Sequence, residues 1–181
     1  MYVPSDDTFL LADCIRQYGG RWALEIGVGS GLLLGILEKN FDYVAGSDID
    51  LQALQYSKQR SPSALLVCCD AASAFGNNGK FDLIVSNPPY LPDDDDDDDH
   101  HHNPRDLTVH GGRKGIETVI HFISSALPLL TMDGKMLLVI SSLADSSYAL
   151  DNIVKEKKVH KKVVKKKRLF YETLSVIQLS I

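Results

Sequence analysis

Glu25-Ile26-Gly27-Val28-Gly29-Ser30-Gly31 is the stretch whose reading decides the fold. Arg21 to Ile26 ahead of it reads as a β-strand, and Leu32 to Lys39 behind it carries helix-forming residues. The glycines therefore occupy a strand-to-helix turn, which in a doubly wound α/β sheet is where a nucleotide-like ligand binds, near the topological switch point. Glycine lets backbone approach a ligand closely. Taken alone, Gly-x-Gly-x-Gly serves equally as a plain tight turn or as a dinucleotide-binding loop. Two features narrow it. The spacing is shorter than Gly-x-Gly-x-x-Gly, and Glu25 sets a carboxylate beside the loop that suits a cationic amino group better than a pyrophosphate.

Outward from this turn, short β-rich apolar runs alternate with longer amphipathic ones, the pattern of helices packed on a mostly parallel sheet. Thr8 to Tyr18 reads as a helix stopped by Gly19-Gly20. Tyr43 to Ser47 is a second strand ending at Asp48, Leu51 to Arg60 a helix, Ala64 to Cys69 a third strand ending at Asp70, and Phe81 to Ser86 a fourth ending at Asn87. Ile116 to Leu130 is predicted helical, followed by a turn at Asp133-Gly134 and a fifth strand, Lys135 to Ser141. Asp145 to Lys158 is another helix. Val159 to Arg168 and Thr173 to Ile181 read as an antiparallel hairpin. With 181 residues, no internal repeat and no linker, the expectation is one domain spanning 1–181.

A hydrophobic content of 44% and a charged content of 24% are ordinary for a globular chain, and no apolar run reaches the roughly 18 residues a membrane span needs. No basic-then-apolar leader opens the sequence, so the expected compartment is the cytoplasm. Cys14, Cys68 and Cys69 are expected as buried reduced thiols. The net charge of -5 hides a segregation: Asp93 to Asp99 is an unbroken acidic run, whereas Lys155 to Arg168 holds nine of the 19 basic residues. The acidic run is expected as a solvated loop, and the basic stretch, interrupted by Val159, Val163, Val164 and Leu169, as strands with one wet, positive face. His100, His101 and His102 beside the aspartates invite a metal reading, but neighbours on a loop fix no coordination geometry, and no metal is expected.

The strand ends carry the chemistry. Asp48, about 20 residues beyond the glycines, is placed to accept from two ribose hydroxyls; its alternative is a helix cap, for which Asp50 stands closer. Asp70 is open to two readings, acceptor for an adenine amino group with the Ala71 amide on a ring nitrogen, or a turn residue. Asn87-Pro88-Pro89-Tyr90 is the most specific feature: two prolines remove two backbone donors and fix two torsions, leaving a rigid turn whose carbonyls are free to accept, closed by an aromatic.

Together, Glu25 to Gly31, Asp48, Asp70 and Asn87 to Tyr90 resemble the class I S-adenosylmethionine-dependent methyltransferases that act on amide or exocyclic amino nitrogens. The resemblance narrows with Tyr2-x-Pro4-x-x-Asp7-Thr8-Phe9-Leu10-Leu11 and Gly111-Gly112-x-x-Gly115 to the eukaryotic and archaeal branch of the HemK-type glutamine methyltransferases. It implies an α/β, Rossmann-like fold: a mostly parallel seven-stranded sheet with a C-terminal antiparallel hairpin and helices on both faces. It further implies S-adenosylmethionine as cofactor and, as substrate, the Gly-Gly-Gln glutamine of a class 1 translation release factor. A small zinc-binding activator subunit is implied at the third-strand edge. Cofactor-binding roles fall to Asp7, Thr8, Glu25, Gly27, Gly29, Gly31, Asp48, Asp70, Ala71 and Asn87, acceptor-binding roles to Asn87, Pro88, Pro89 and Tyr90, and catalytic roles to Asn87, Pro88 and Tyr90.

An amide nitrogen is a poor nucleophile because its lone pair is delocalised, so Asn87 Oδ1 and the Pro88 carbonyl are expected to accept one amide hydrogen each, with Tyr90 bounding the acceptor plane. The same turn also suits a flipped adenine or cytosine, and the basic segment suits phosphates, so a nucleic-acid methyltransferase is the leading rival. A lysine acceptor and a non-enzymatic methyltransferase-like scaffold are the others. Ala64 to Cys69 is read as a bare apolar edge that invites pairing, or else as buried under the chain's own helices.

Overall fold

The structure, a computed structural model, describes residues 3–76, 79–90, 116–144 and 147–181. The elements run α1 (Asp6–Ile15), β1 (Gly20–Ile26), α2 (Leu32–Leu37), β2 (Phe41–Asp48), α3 (Leu51–Arg60), β3 (Leu65–Cys68), β4 (Phe81–Ser86), α4 (Glu117–Ala126) with a 3₁₀ turn at Leu127–Leu129, β5 (Leu130–Ser141), α5 (Ser147–Lys157), β6 (His160–Arg168) and β7 (Thr173–Ser180). Tyr2, the Asp93–His102 run and Gly111-Gly112-x-x-Gly115 lie outside the described residues.

The strands form one sheet in the order β3-β2-β1-β4-β5-β7-β6. β1 to β5 are mutually parallel, and β7 returns antiparallel to β5 with β6 antiparallel beyond it. Alternation along each central strand sends residues to two cores. Leu24, Ile26, Ile84, Met136, Leu138 and Ile177 join α4 and α5 on one face. Ala23, Leu83, Val85, Leu137, Val139 and Val176 join α1, α2 and Leu54 of α3 on the other. The central strands are thus buried on both sides, as parallel sheets require.

Four expectations need correction. The helix expected over Ile116 to Leu130 stops at Ala126, because Pro128 cannot donate to a continuing ladder and the chain tightens to 3₁₀ before entering β5. Asp133-Gly134 is no turn before a strand; β5 already begins at Leu130, and the register with β4 jumps between Phe81 paired to Leu130 and Leu83 paired to Lys135. Thr131 to Gly134 is a bulge folded so tightly that a Cβ on Gly134 would stand 2.7 Å from the Phe81 carbonyl oxygen. β6 does not have one wet face: all but Val164 of its nine residues are exposed, since it is the sheet's outer strand. Lys165 and Lys167 reach back to Asp13 and Asp6 of α1 at 3.0 and 2.9 Å, and Lys161 to Asp151 of α5. Lastly, Cys14 is buried, but Cys68 is exposed and Cys69 half-buried, because β3 forms the opposite edge.

Candidate active site

Parallel pairing brings the C-terminal ends of β1, β2, β3 and β4 to one rim, so the glycine loop, Asp48, Asp70 and Asn87 converge although 62 sequence positions separate Glu25 from Asn87. Gly27, Gly29 and Gly31 all take positive φ, 77°, 50° and 72°, conformations that cost a side-chain-bearing residue about 1 kcal/mol or more. Four of the loop's five amides are consumed internally. Gly27 and Val28 donate to the Ser47 carbonyl at 2.9 and 3.1 Å, Gly29 to Asp48 Oδ2 at 2.9 Å, and Gly31 to the Val28 carbonyl at 2.9 Å. Spent in this way, those four are not offered to a pyrophosphate, which agrees with the reading that disfavours a dinucleotide.

Three serine hydroxyls passed over in the sequence sew the rim together. Ser47 Oγ donates to the Ala71 carbonyl at 2.6 Å, Ser86 Oγ to the Ile26 carbonyl at 2.9 Å, and Ser57 Oγ to the Gly29 carbonyl at 3.1 Å. All three serines are fully buried. Ser47 and Ser86 are small polar residues at strand ends before a turn, whereas Ser57 sits within α3 and carried no such signal. Asp50, as expected, caps α3 by accepting from the Gln52 amide at 2.8 Å, which frees Asp48 from that duty. Asp48 instead accepts from Gly29 and, through Oδ1, from the Asp50 amide at 2.9 Å, so its orientation is fixed while lone pairs remain for a ligand.

Glu25 is almost wholly buried, and its Oε2 has no hydrogen-bond partner among the described residues. Burial pushes its carboxyl well above the ordinary carboxylate range; the Leu34 backbone N–H opposes this, and the nearby Asp48 carboxylate adds to it. A buried carboxylate oxygen without a donor is a binding feature for a cation, because an unpaired buried charge is costly and a cationic partner removes that cost.

The Asn-Pro-Pro-Tyr turn is locked from the other side by α1. Asn87 Nδ2 donates to Thr8 Oγ1 at 3.2 Å, and Thr8 Oγ1 donates in turn to Asp7 Oδ1 at 3.2 Å. Tyr90 OH donates to Asp7 Oδ2 at 2.9 Å, while Ser5 Oγ and the Thr8 amide also donate to Asp7 Oδ1. Asp7 and Thr8 are buried. With its amide nitrogen committed, Asn87 leaves Oδ1 buried and without a partner among the described residues. Pro88 is buried, and Pro89 and Tyr90 are half-buried. Every site residue named from the sequence thus stands at this rim, in the glycine loop, the strand ends or the α1 lock. Ala71, itself buried in the loop after β3, has φ 46°, a strained conformation for a non-glycine residue. His121 and Phe122 of α4 lie there too: His121 Nε2 is 2.9 and 3.0 Å from the two Asp70 oxygens, and Phe122 Cε2 stands 3.8 Å from where a Cβ on Gly27 would be. A histidine inside the otherwise apolar Thr118-Val119-Ile120-His121-Phe122-Ile123 was a signal the sequence reading did not use. A cleft of about 490 Å³ lined by Arg21, Trp22, Lys80 and Asp82 lies at the N-terminal ends of β1 and β4, opposite this rim, and takes no part in it.

A sheet of order 3-2-1-4-5-7-6 with its glycine loop after the first strand and an Asn-Pro-Pro-Tyr turn after the fourth defines a class I S-adenosylmethionine-dependent methyltransferase. The chain belongs to the family described as Eco57I restriction-modification methylase, which matches residues 37–170. It is 29% identical over 156 residues to a putative protein N5-glutamine methyltransferase of Methanocaldococcus jannaschii, covering 84% of this chain and 78% of that one. Against the release factor glutamine methyltransferase of Deinococcus radiodurans it is 30% identical over 146 residues, or 75% of this chain, and spans about half of that protein, 52%. Among solved structures, the E. cuniculi Mtq2-Trm112 complex, responsible for methylation of the eRF1 translation termination factor, superposes with a TM-score of 0.76 at 22% identity, covering 99% of this chain and 97% of that one. The fold expected from the resemblance is the fold observed, and its likeness to glutamine methyltransferases holds. No described helix is long and apolar enough to cross a membrane.

Proposed function

We propose that the chain methylates the side-chain amide nitrogen of the glutamine in the Gly-Gly-Gln motif of a class 1 translation release factor, in the cytoplasm. One observation carries the reading: Asn87 Oδ1 is buried, without a partner among the described residues, and held in place through its own amide by Thr8. An acceptor oxygen left unpaired in a buried site costs about 1–3 kcal/mol, and the N–H of an incoming amide removes that cost.

The sulfonium of S-adenosylmethionine supplies an electrophilic methyl group. Glu25 Oε2, without a partner among the described residues, would hold the cationic amino end; Asp48, already oriented by the Gly29 amide, would accept from the ribose hydroxyls; Asp70 and Ala71 would meet the adenine, and the glycine loop would let backbone lie against the cofactor. Asn87 Oδ1 and the Pro88 carbonyl each accept one hydrogen of the glutamine amide and favour positive charge on the nitrogen as it attacks. Tyr90, anchored at its hydroxyl by Asp7, bounds the acceptor plane with its ring. Asp7 and Thr8 hold the turn directly, and by the family resemblance they would also help close over the methionine end of the cofactor. The glutamine nitrogen needs no strong base, because the product nitrogen is acidic until its proton leaves.

At the β3 edge, Leu65 is 54% exposed and the strand's outer backbone groups face no neighbour in the sheet, which fits a strand-adding partner. The E. cuniculi enzyme is a complex with Trm112. A small zinc-binding activator is the partner proposed here.

A second reading, methylation of an adenine or cytosine amino group, draws on the exposed lysines of β6 and the description of the matching family. Incubation with labelled methyl donor and either release factor or nucleic acid, followed by mass spectrometry of the labelled product, separates the two. The label is expected on the Gly-Gly-Gln glutamine; label on a nucleobase with the glutamine unmodified overturns the proposal.

A further inference from the structure

We infer that His121 is a positioning residue for the adenine end of the cofactor site, fixing the angle at which the Asp70 carboxylate meets the exocyclic amine. Asp70 lies two residues beyond the end of β3, beside Ala71, and is an exposed carboxylate, 66% accessible, that accepts from no backbone donor among the described residues. Free in solvent, such a side chain samples several rotamers. His121 reaches it from α4, 51 positions away in sequence, with Nε2 nearly equidistant from Oδ1 and Oδ2, at 2.9 and 3.0 Å. One N–H shared between both oxygens uses one lone pair on each and aligns the carboxylate plane with the ring nitrogen. The remaining lone pairs stay available to an amine.

The pair is exposed on both sides, and surface contacts of this kind contribute little to stability. Its surroundings point to a ligand instead. The neighbouring Phe122 ring lies against Gly27 of the cofactor loop, Ala71 keeps a strained φ of 46°, and Ile49, the residue after Asp48, leaves an apolar side chain 60% exposed. An apolar residue on β2's end, an aromatic on α4 and an oriented carboxylate on β3's end are the contacts a purine with an exocyclic amine requires. α4 therefore forms a wall of the cofactor site.

This inference rests on the assignment of Asp70 to the adenine amine. Titration calorimetry with S-adenosylhomocysteine and with its inosine counterpart, in which a carbonyl oxygen replaces the 6-amino group, tests it in the full chain. His121→Ala is expected to weaken the adenosine ligand about five- to tenfold, a loss on the scale of one oriented hydrogen bond, and to change the inosine ligand less than twofold. Equal weakening of both, or no weakening of the adenosine ligand, overturns the inference. A wild-type chain that does not distinguish the two ligands removes the Asp70 assignment and the inference with it. No acceptor enters the measurement, so either outcome leaves the glutamine assignment where it stood.

Discussion

Two side chains of the candidate site, Asn87 and Glu25, each hold a buried oxygen with no hydrogen-bond partner among the described residues. Asn87 presents a buried oxygen with no donor to it among the described residues, while its nitrogen donates to Thr8. Asn87→Ala is expected to lower methyl transfer by about 10²–10³-fold, the usual loss of one preorganised acceptor or donor, with cofactor affinity largely kept; near-normal turnover would refute the role. Glu25 makes a pH prediction. Its folded pKa is raised, so below the unfolded value near 4.3 the carboxyl is protonated in both states and costs nothing. As pH rises from there toward the raised folded value, the unfolded chain releases a proton that the folded chain retains, and stability falls by up to about 1.4 kcal/mol per pH unit. A cationic ligand reverses the preference, so cofactor binding should release a proton and strengthen with pH over the same window. Glu25→Gln is expected to flatten both slopes while weakening the cofactor. Thermal midpoints against pH, and calorimetry in buffers of different ionisation enthalpy, read this out, and a variant that keeps the wild-type slopes would acquit Glu25.

Among elements, strand ends and the packing beneath them set the site. β2 passes under the glycine loop so closely that a Cβ on Gly46 would meet Val28 Cγ2 at 2.6 Å, Leu66 Cδ2 at 3.0 Å and Leu34 Cδ2 at 3.2 Å. Gly46→Ala should therefore cost about 1–3 kcal/mol by overpacking and, by lifting the loop, weaken cofactor binding as well. Denaturant melts beside ligand titrations check this; an unchanged midpoint would mean that the three side chains move aside freely. These elements were uneven in legibility. β4 and α3 have the limits their periodicity predicts, because a two-sided apolar run and an Asp cap are local signals. The bulge at Thr131 to Gly134 was misread as a turn, since Asp-Gly looks alike in both and only the Phe81 carbonyl packed against Gly134 separates them.

For the whole molecule, the two sheet edges differ in kind. β6 is protected by lysines, three of them tied to aspartates of α1 and α5, whereas β3 offers apolar side chains and an outer edge with no strand neighbour among the described residues. The chain expressed alone is expected to aggregate and to be rescued by co-expression with the activator, and Leu65→Lys is expected to weaken copurification; a stable, active monomer would count against the pairing. From sequence alone came the alternation of strands and helices, the glycine loop, the polar residue at each strand end and the proline turn, because each is written in contiguous residues and their short-range sterics. Only the tertiary structure decided that α1 locks the Asn-Pro-Pro-Tyr turn through Asp7 and Thr8, that His121 meets Asp70, and that Cys68 lies open on an edge. Those contacts join residues 51 to 83 positions apart, and no local pattern records which distant partner a polar side chain will find once the strands have chosen their neighbours.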